Sequence, residues 1–246
     1  MKRAFASAPL GLFGGTFNPI HLGHLRAAEE VAEALGLERM VFVPSAQPPH
    51  KLPDRRDTLA PARLRFAWVK AAIANNPRFA VDGLELERTG PSYSVDTLRT
   101  FAARLEPKRC VFVIGQEAFA ELASWREPAA LMGLAHFAVT TRPPCREGFL
   151  KAWMPSTLAG QVELAADGRS GRHRSAKTWI RAIEITPLEI SSSEIRARLR
   201  AGRSVRYLLP DGIHDEVVQS RVYAPAAGRA RRPGASRAPR THKEGR

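Results

Sequence analysis

The sequence has few cysteines, no long apolar run and no recognisable export signal. Only two cysteines, Cys110 and Cys145, occur in 246 residues, and their spacing matches neither a CxxC pair nor a zinc site. This argues against a disulfide framework and is typical of a reducing compartment. No stretch reaches the roughly 18 uncharged apolar residues of a membrane helix, and the apolar stretch near the start is too short for a signal peptide. The sequence therefore predicts a cytoplasmic protein without a membrane span.

Acidic residues are scarce relative to basic ones, and the excess is uneven along the chain. The 38 Lys and Arg against 24 Asp and Glu give a net charge of +14. Residues 224–246 carry seven of the basic residues and one Glu, with three prolines, three glycines and no aromatic residue. This composition buries too little apolar surface to offset the entropy of ordering, so it predicts a disordered basic tail after a folded region over 1–223. We expect at most weak affinity for polyanions, with specific nucleic-acid binding as the alternative.

Short β-like runs alternate with longer helical patterns over most of the chain, which favours a parallel sheet covered on both faces. The predicted fold class is α/β, a Rossmann-like doubly wound parallel sheet with helices on both faces, in which ligands bind at the carboxyl ends of the strands. Residues 143–178, rich in Pro, Gly and Arg, are predicted as a variable connection. The strands are predicted at 10–13, 40–43, 79–82, 110–114, 137–140 and 180–185, and the helices at 24–35, 61–75, 94–105, 127–132 and 195–200.

The segment GGTFNPIHLGH at 14–24 follows the first predicted strand and opens the first predicted helix. Gly14 and Gly15 let the backbone approach a phosphate closely, and the free N–H groups of the helix start point to the same place. His21 and His24 are three residues apart, so both can reach one anion from a helical turn. The segment predicts a phosphate site with two imidazoles; a purely structural turn and a zinc site are the alternatives. It lacks the GxGxxG and P-loop patterns of other nucleotide sites.

A second candidate helix start is the sequence ISSSEIR at residues 190–196. Ser191 and Glu194 have the spacing of a capping box. Ser192 and Ser193 add hydroxyl groups, and Arg196 projects a guanidinium from the first turn. Helix capping alone would explain the serines. Beside the two-histidine segment, these residues predict a second group of phosphate donors.

Four shorter features in the middle of the chain are candidates for substrate contacts. The rigid loop PSAQPPHK at 44–51 ends in two potential cations and suits an anionic substrate. The sequence SYSVDT at 92–97 opens a helix with small hydroxyl residues and exposed amides. The GQE turn at 115–117 follows the fourth strand, and Trp125 precedes Arg126 in an LxxW element. Each feature also has a plainer explanation as a surface loop, a helix cap or core packing.

Taken together, these motifs resemble a known family. GGTFNPIHLGH is similar to the GGTFDPIHxGH signature of the HxGH nucleotidyltransferase superfamily, with Asn18 where Asp is usual, which removes one negative charge near the phosphates. ISSSEIR is similar to its ISSTxIR motif, with Ser193 in place of Thr. The PPHK loop, the SYSxDT segment, the GQ turn and the LxxW element, in this order, resemble the bacterial nicotinate mononucleotide adenylyltransferases over roughly residues 10–223.

The resemblance implies an enzyme that transfers the adenylyl group of ATP to nicotinate mononucleotide, giving nicotinate adenine dinucleotide and pyrophosphate in NAD biosynthesis. His21, His24 and Arg196 are then implied as catalytic residues, with both histidines acting on the α-phosphate and the leaving oxygen. A Mg²⁺ ion is implied on the phosphates of ATP, with no protein ligand assigned to it. The residues implied to bind ATP also include Gly14, Gly15, Thr16, Phe17, Ser192 and Ser193.

For the acceptor, the resemblance implies that Trp125 stacks on the pyridine ring and that amides near Ser94 and Arg126 receive the nicotinate carboxylate. Lys51, near the phosphates, and Gln116 complete the substrate-binding set. Transfer to nicotinamide mononucleotide or to phosphopantetheine is the alternative, although phosphopantetheine adenylyltransferases typically lack the PPHK and LxxW elements. A basic nucleic-acid-binding protein is the alternative from another class, and it predicts interleaved surface aromatics that the sequence lacks. The sequence indicates no oligomeric state.

Overall fold

The computed structural model describes residues 9–49, 58–105, 109–141 and 149–224. Lys51 and the basic tail from residue 225 onward lie outside the described residues. Within the described ranges, no helix combines the length and the hydropathy that crossing a membrane requires.

The described ranges contain the six predicted strands and two further ones. The strands are β1 (Leu10–Gly15), β2 (Arg39–Pro44), β3 (Phe79–Val81), β4 (Cys110–Gly115), β5 (His136–Thr141), β6 (Val162–Leu164), β7 (Ser170–His173) and β8 (Trp179–Glu184). The helices are α1 (Leu22–Leu35), α2 (Ala62–Ala72), α3 (Leu84–Glu87), α4 (Ser94–Arg104), α5 (Gln116–Ala120), α6 (Pro128–Leu134), α7 (Phe149–Trp153), α8 (Ser156–Ala159), α9 (Ser192–Arg200) and α10 (Asp211–Gln219).

All eight strands form one sheet in the order β3-β2-β1-β4-β5-β8-β7-β6. The six predicted strands pair in parallel throughout, from β3 to β8. The chain moves outward from β1 to β3 in one direction and returns to the other side of β1 with β4, so the strand order reverses between β1 and β4. Open α/β sheets bind ligands at the carboxyl ends of the strands at such a reversal.

The prediction of a variable connection over 143–178 is wrong for its described part. Residues 149–178 form α7, α8 and the hairpin of β6 and β7, which extends the sheet beyond β8 in antiparallel orientation. β7 has the sequence SGRH, which shows no alternation of apolar and polar residues. A segment of this composition has little intrinsic tendency to form a strand, and it does so here because it pairs with β6 and β8. The strand could therefore not be predicted from its own residues.

Alternate residues of each central strand face two separate hydrophobic cores. On β2, Val41 and Val43 belong to one core, while Met40 and Phe42 belong to the other. Helices α4, α6 and α7 contribute to the first core through Leu98, Leu131 and Leu150, and helices α1, α2, α9 and α10 contribute to the second through Val31, Trp68, Ile195 and Ile213. The strands are therefore buried on both faces, which confirms the Rossmann-like fold class.

Local capping sets the bounds of the two helices that matter for the site. α1 begins at Leu22, two residues before the prediction, and ends at Leu35, where it is capped by Gly36, whose φ of 61° suits glycine. α9 begins at Ser192, three residues before the prediction, because the hydroxyl of Ser191 accepts the N–H of Glu194. Both helix starts lie at the carboxyl edge of the sheet.

Candidate active site

Two clefts reach the turn between β1 and α1. The first has a cavity volume of about 160 Å³ and contains residues 14–16 of the turn together with Trp125 and Arg126. The second has a cavity volume of about 330 Å³ and contains His21 and His24. A ligand in either cleft would contact the same turn.

Two glycines leave room for ring side chains in this turn. A Cβ atom on Gly15 would lie 2.9 Å from the ring of Phe17, and one on Gly23 would lie 3.1 Å from Nδ1 of His21. A side chain at either position would therefore displace the neighbouring ring. Phe17 itself is buried with a positive φ of 46°. Because its side chain is buried, Phe17 can contact a ligand only through its backbone.

The two predicted histidines stack on each other. Their ring centroids are 3.7 Å apart, with an interplanar angle of 29°. Nδ1 of His24 accepts the backbone N–H of His21 at 3.2 Å. Because Nδ1 is an acceptor, neutral His24 carries its ring proton on Nε2, which can donate to a ligand in the second cleft. The His24 ring also packs edge-on against Phe17 at 5.2 Å, which fixes its orientation.

The first turn of α9 is hydrogen-bonded to the turn that carries the histidines. The Ser191 hydroxyl accepts the N–H of Glu194 at 3.1 Å, as the predicted cap requires. The Ser192 hydroxyl donates to the carbonyl of Pro19 at 2.9 Å, and Ser192 lines the second cleft. The structure thus brings together two motifs that lie far apart in the sequence.

Arg196 is buried beside the second cleft and is hydrogen-bonded to the exposed Ser193. The Arg196 side chain is 1% exposed. Its Nη1 donates to the carbonyl of Asn18 at 2.7 Å, and its Nη2 donates to the Ser193 hydroxyl at 3.1 Å. In this arrangement the Arg196 guanidinium supports the turn from behind, while the Ser193 hydroxyl is exposed and can donate its proton to a ligand.

Asn18 has a structural role that accounts for its difference from the usual Asp. Its Oδ1 accepts the N–H of Ala60 at 3.0 Å and the hydroxyl of Tyr223 at 2.6 Å. Its Nδ2 donates to the carbonyl of Thr58 at 2.9 Å. An ionised carboxylate could make the first two bonds but could not donate the third. These three hydrogen bonds of the Asn18 side chain therefore all go to groups of the protein.

The first cleft joins an aromatic wall to a helix start. α4 begins at Ser94, and the Arg126 guanidinium lies over the ring of Tyr93, with Cζ 4.7 Å from the centroid. Trp125 packs edge-on against Phe112 at 6.4 Å between centroids. The structure therefore brings Ser94, Trp125 and Arg126 together in one cleft. An aromatic surface beside free helix N–H groups suits a flat ring that carries an anionic substituent.

Gln116 lines the second cleft, whereas Ser94, Trp125 and Arg126, which were predicted with it to bind the acceptor, line the first. It is the first residue of α5 and lines the second cleft, where its Oε1 accepts the hydroxyl of Thr141 at 2.7 Å. The sequence shows that Gln116 follows a strand, but it does not show towards which neighbouring strand the side chain turns. The hydrogen bond to Thr141, at the end of β5, decides this.

Sequence reasoning missed two buried charged residues near the first cleft. Glu85, on α3, lines this cleft, and burial raises the pKa of its carboxyl while hydrogen bonds from Thr97 and Ser92 act in the opposite direction. Arg65, on α2, is fully buried. A signal for Arg65 was present, because it lies on the apolar face of α2 with Trp68, where a charged residue is unusual.

Comparison with known families identifies the class of protein to which this fold and these clefts belong. The chain belongs to the cytidylyltransferase-like family, whose model matches residues 12–198. The matched stretch includes the two-histidine turn, both clefts and most of α9.

Within that family, its relatives are nicotinate-nucleotide adenylyltransferases. A probable enzyme of this name from Geotalea daltonii is 40% identical over 214 residues, which cover 87% of this chain and 97% of the relative. Another from Trichlorobacter lovleyi is 42% identical over 216 residues, with 88% and 99% covered. The Plasmodium falciparum nicotinic acid mononucleotide adenylyltransferase, solved in complex with NaAD, shares the fold with a TM-score of 0.66 at 17% identity, covering 88% of this chain and 98% of that one. The predicted resemblance is confirmed.

Proposed function

We propose that the chain transfers the adenylyl group of ATP to nicotinate mononucleotide and releases pyrophosphate, a step of NAD biosynthesis. The observation that carries the proposal is that two different clefts both reach the β1–α1 turn. Two substrates bound in these clefts would lie next to each other at the turn, as a transfer between them requires. Relatives 40% identical to the chain bear the name of this activity. The Plasmodium falciparum protein with the same fold was solved with NaAD, the dinucleotide that this reaction would form.

In the proposed reaction, the 5′-phosphate of the mononucleotide attacks the α-phosphorus of ATP in line. A new P–O bond forms as the bond to the pyrophosphate group breaks. The nucleophile is already an anion, so no covalent enzyme intermediate is required. Catalysis then consists mainly of positioning and of neutralising the charge on the phosphates.

The second cleft is proposed to hold the phosphates of ATP. His24 would donate from Nε2, with His21 stacked beside it, to the α-phosphate and the leaving oxygen. The Ser192 hydroxyl and the Gln116 amide lie in the same cleft. The backbone amides of residues 14–17 and the exposed Ser193 hydroxyl would contact the triphosphate, while Arg196 would hold the turn in place from behind.

Magnesium is part of the proposal as an ion that arrives with ATP. Mg²⁺ keeps several waters and is usually bound through phosphate oxygens and one or two carboxylates. The second cleft offers one carboxylate, Glu117, among its lining residues, so it fits such an ion. When bound, Mg²⁺ would neutralise part of the negative charge on the phosphates.

The first cleft is proposed to hold the acceptor. The pyridine ring would stack on Trp125, and its carboxylate would lie at the start of α4 near Ser94 and beside Arg126. Backbone N–H donors can serve both oxygens of a carboxylate. A carboxamide must present its NH₂ group to one of them, which leaves two donors facing each other.

Pyrophosphate release tests this proposal directly. The full chain, ATP and Mg²⁺ are assayed with nicotinate mononucleotide, nicotinamide mononucleotide or phosphopantetheine, and the product is identified by mass. Two mismatched hydrogen bonds at about 1–3 kcal/mol each predict that the acid is preferred over the amide by at least about 10² in kcat/KM. Equal use of acid and amide would overturn the acceptor assignment. Release only with phosphopantetheine, or with none of the three, would overturn the proposed function.

The cytoplasm is the proposed compartment of this activity. Cys110 is buried on β4 as a free thiol. Burial raises its pKa to about 11, so the thiol stays protonated and inert at neutral pH. Unpaired thiols of this kind are typical of proteins in reducing compartments.

A further inference from the structure

Arg65 connects three separate segments around the first cleft. Its side chain, on α2, has no solvent exposure. Its Nε donates to the carbonyl of Ala60 at 2.8 Å, its Nη1 to the carbonyl of Thr16 at 2.6 Å and its Nη2 to the carbonyl of Ala46 at 3.1 Å. One guanidinium therefore holds backbone atoms from the β1–α1 turn, from the segment after β2 and from the segment before α2.

Stability alone is a poor explanation for a charge at this position. Each of the three acceptors is a neutral carbonyl, and buried ionic groups are weak evidence for a gain in stability. Burial lowers the pKa of the Arg65 guanidinium, although Tyr223 and Glu85 act in the opposite direction. What arginine offers here is geometry, because its planar fork can fix three acceptors at once.

Two of the three carbonyls adjoin the first cleft at the ends of neighbouring strands. Thr16 follows β1 and lines the cleft. Ala46 follows β2 and lies between Ser45 and Pro48, which also line it. β1 and β2 are paired up to this point, where the N–H of Ser45 donates to the carbonyl of Gly15 at 2.9 Å, and Arg65 fixes the backbone of both segments just beyond that pairing.

The Ala46 segment is also held from its other side. The Ser92 hydroxyl accepts the N–H of Ala46 at 2.9 Å and the N–H of Gln47 at 3.2 Å. The carboxyl of Glu85 is hydrogen-bonded in turn to Ser92. The backbone at residue 46 is therefore fixed through its carbonyl by Arg65 and through its N–H by Ser92.

We propose that Arg65 is a positioning residue of the first cleft, which orients the acceptor by fixing the backbone of the Thr16 and Ala46 segments. This inference rests on the proposed function for the identity of the acceptor. It predicts that damage to the Arg65 fork affects use of the acceptor more than use of ATP, because both segments adjoin the first cleft, whereas the triphosphate would meet only the turn at residues 14–17. If Arg65 had a purely structural role, its loss would instead lower thermal stability and leave the ratio of KM for the acceptor to KM for ATP unchanged.

Steady-state kinetics of two variants and one control test the proposal. Arg65→Lys keeps the charge but replaces the fork with a single ammonium group, and Ser92→Ala loosens the Ala46 segment while leaving Arg65 in place. Arg63→Lys is the matched control, since Arg63 lies on the same helix but is exposed. We expect each of the two variants to raise KM for nicotinate mononucleotide by about tenfold, as the loss of one such hydrogen bond implies. KM for ATP should change by less than about twofold in Ser92→Ala and should rise by a smaller factor than KM for the acceptor in Arg65→Lys. Equal rises in both constants, or a lower thermal midpoint with neither constant changed, would overturn the proposal.

Hydrogen exchange provides a readout that needs no turnover. In Arg65→Lys, the amides of Ala46 and Gln47 should exchange faster than in the unaltered chain, while the amides of β4 in the sheet core should not. Acceleration throughout the sheet, or none at residues 46 and 47, would contradict a local positioning role. An unaltered chain that releases no pyrophosphate would refute the proposed function, while the exchange experiment would still decide whether Arg65 fixes the cleft wall.

Discussion

The two clefts that meet at the β1–α1 turn differ in what they offer a ligand. The first presents rings and rigid walls, with Trp125, Tyr93 and Pro48 among its lining residues. The second presents ring nitrogens, hydroxyls and amides, with His24 and Ser192 among them. Under the proposed function, the first cleft would bind the aromatic ring and carboxylate of the acceptor and the second would hold the phosphates of ATP, so the two tasks would fall to different residues. Changes in one cleft should therefore affect a different kinetic constant from changes in the other.

Loss of the His24 imidazole should give the largest effect and should act on the rate. Removing one donor to charge that develops during a reaction typically costs about 10²- to 10³-fold, so His24→Ala should lower kcat by that factor. KM for the acceptor should change little, because His24 lies in the other cleft. His214→Ala on α10 is the control and should retain full activity. A tenfold or larger rise in acceptor KM with unchanged kcat in His24→Ala would break the division between the clefts.

Loss of the Trp125 ring should give a smaller effect and should act on acceptor binding. Stacking of a base on an aromatic side chain is worth about 1–3 kcal/mol, so Trp125→Ala should raise acceptor KM by roughly five- to 100-fold. KM should rise by the same factor for the acid and the amide acceptor, because stacking involves the face of the ring and not its substituent. Trp125→Phe should recover part of the loss. If KM for ATP rose as much as KM for the acceptor, the first cleft would not be specific to the acceptor.

Deletion of residues 226–246 should have the smallest effect on catalysis, none within error. Both clefts are formed by residues before 225, and the family model ends at residue 198. Any binding of polyanions by the full chain should be lost on deletion and should weaken steeply with salt in the full chain. A loss of turnover in the deleted chain would show that the basic tail is not separable from the transferase region.

The order of strands and helices, and the two turns that carry the histidines and the serines, were predictable because they depend on local signals. Buried strands, glycines at a turn and a serine cap are each visible in a short window of sequence. The β6–β7 hairpin and the cleft of Gln116 were not predictable, because each is decided by a partner strand. The roles of Arg65 and Asn18 were not predictable either, although Arg65 stands out as a charged residue on an apolar helix face and Asn18 as a departure from the usual Asp. Their partners include carbonyls and N–H groups of distant segments, and a sequence does not show which backbone groups come together.

The hydrogen bond between Tyr223 and Asn18 has a consequence for the order in which parts of the protein fold during synthesis. The two residues are 205 positions apart, and the N–H of Leu22 is likewise bound by the carbonyl of Leu208. The turn that carries the histidines is synthesised well before residues 208 and 223, which bind it. A nascent chain that extends only to residue 200 lacks both of these hydrogen bonds. Contacts of such long range also slow folding, so completion of the two-histidine turn is expected to follow, not precede, formation of the sheet.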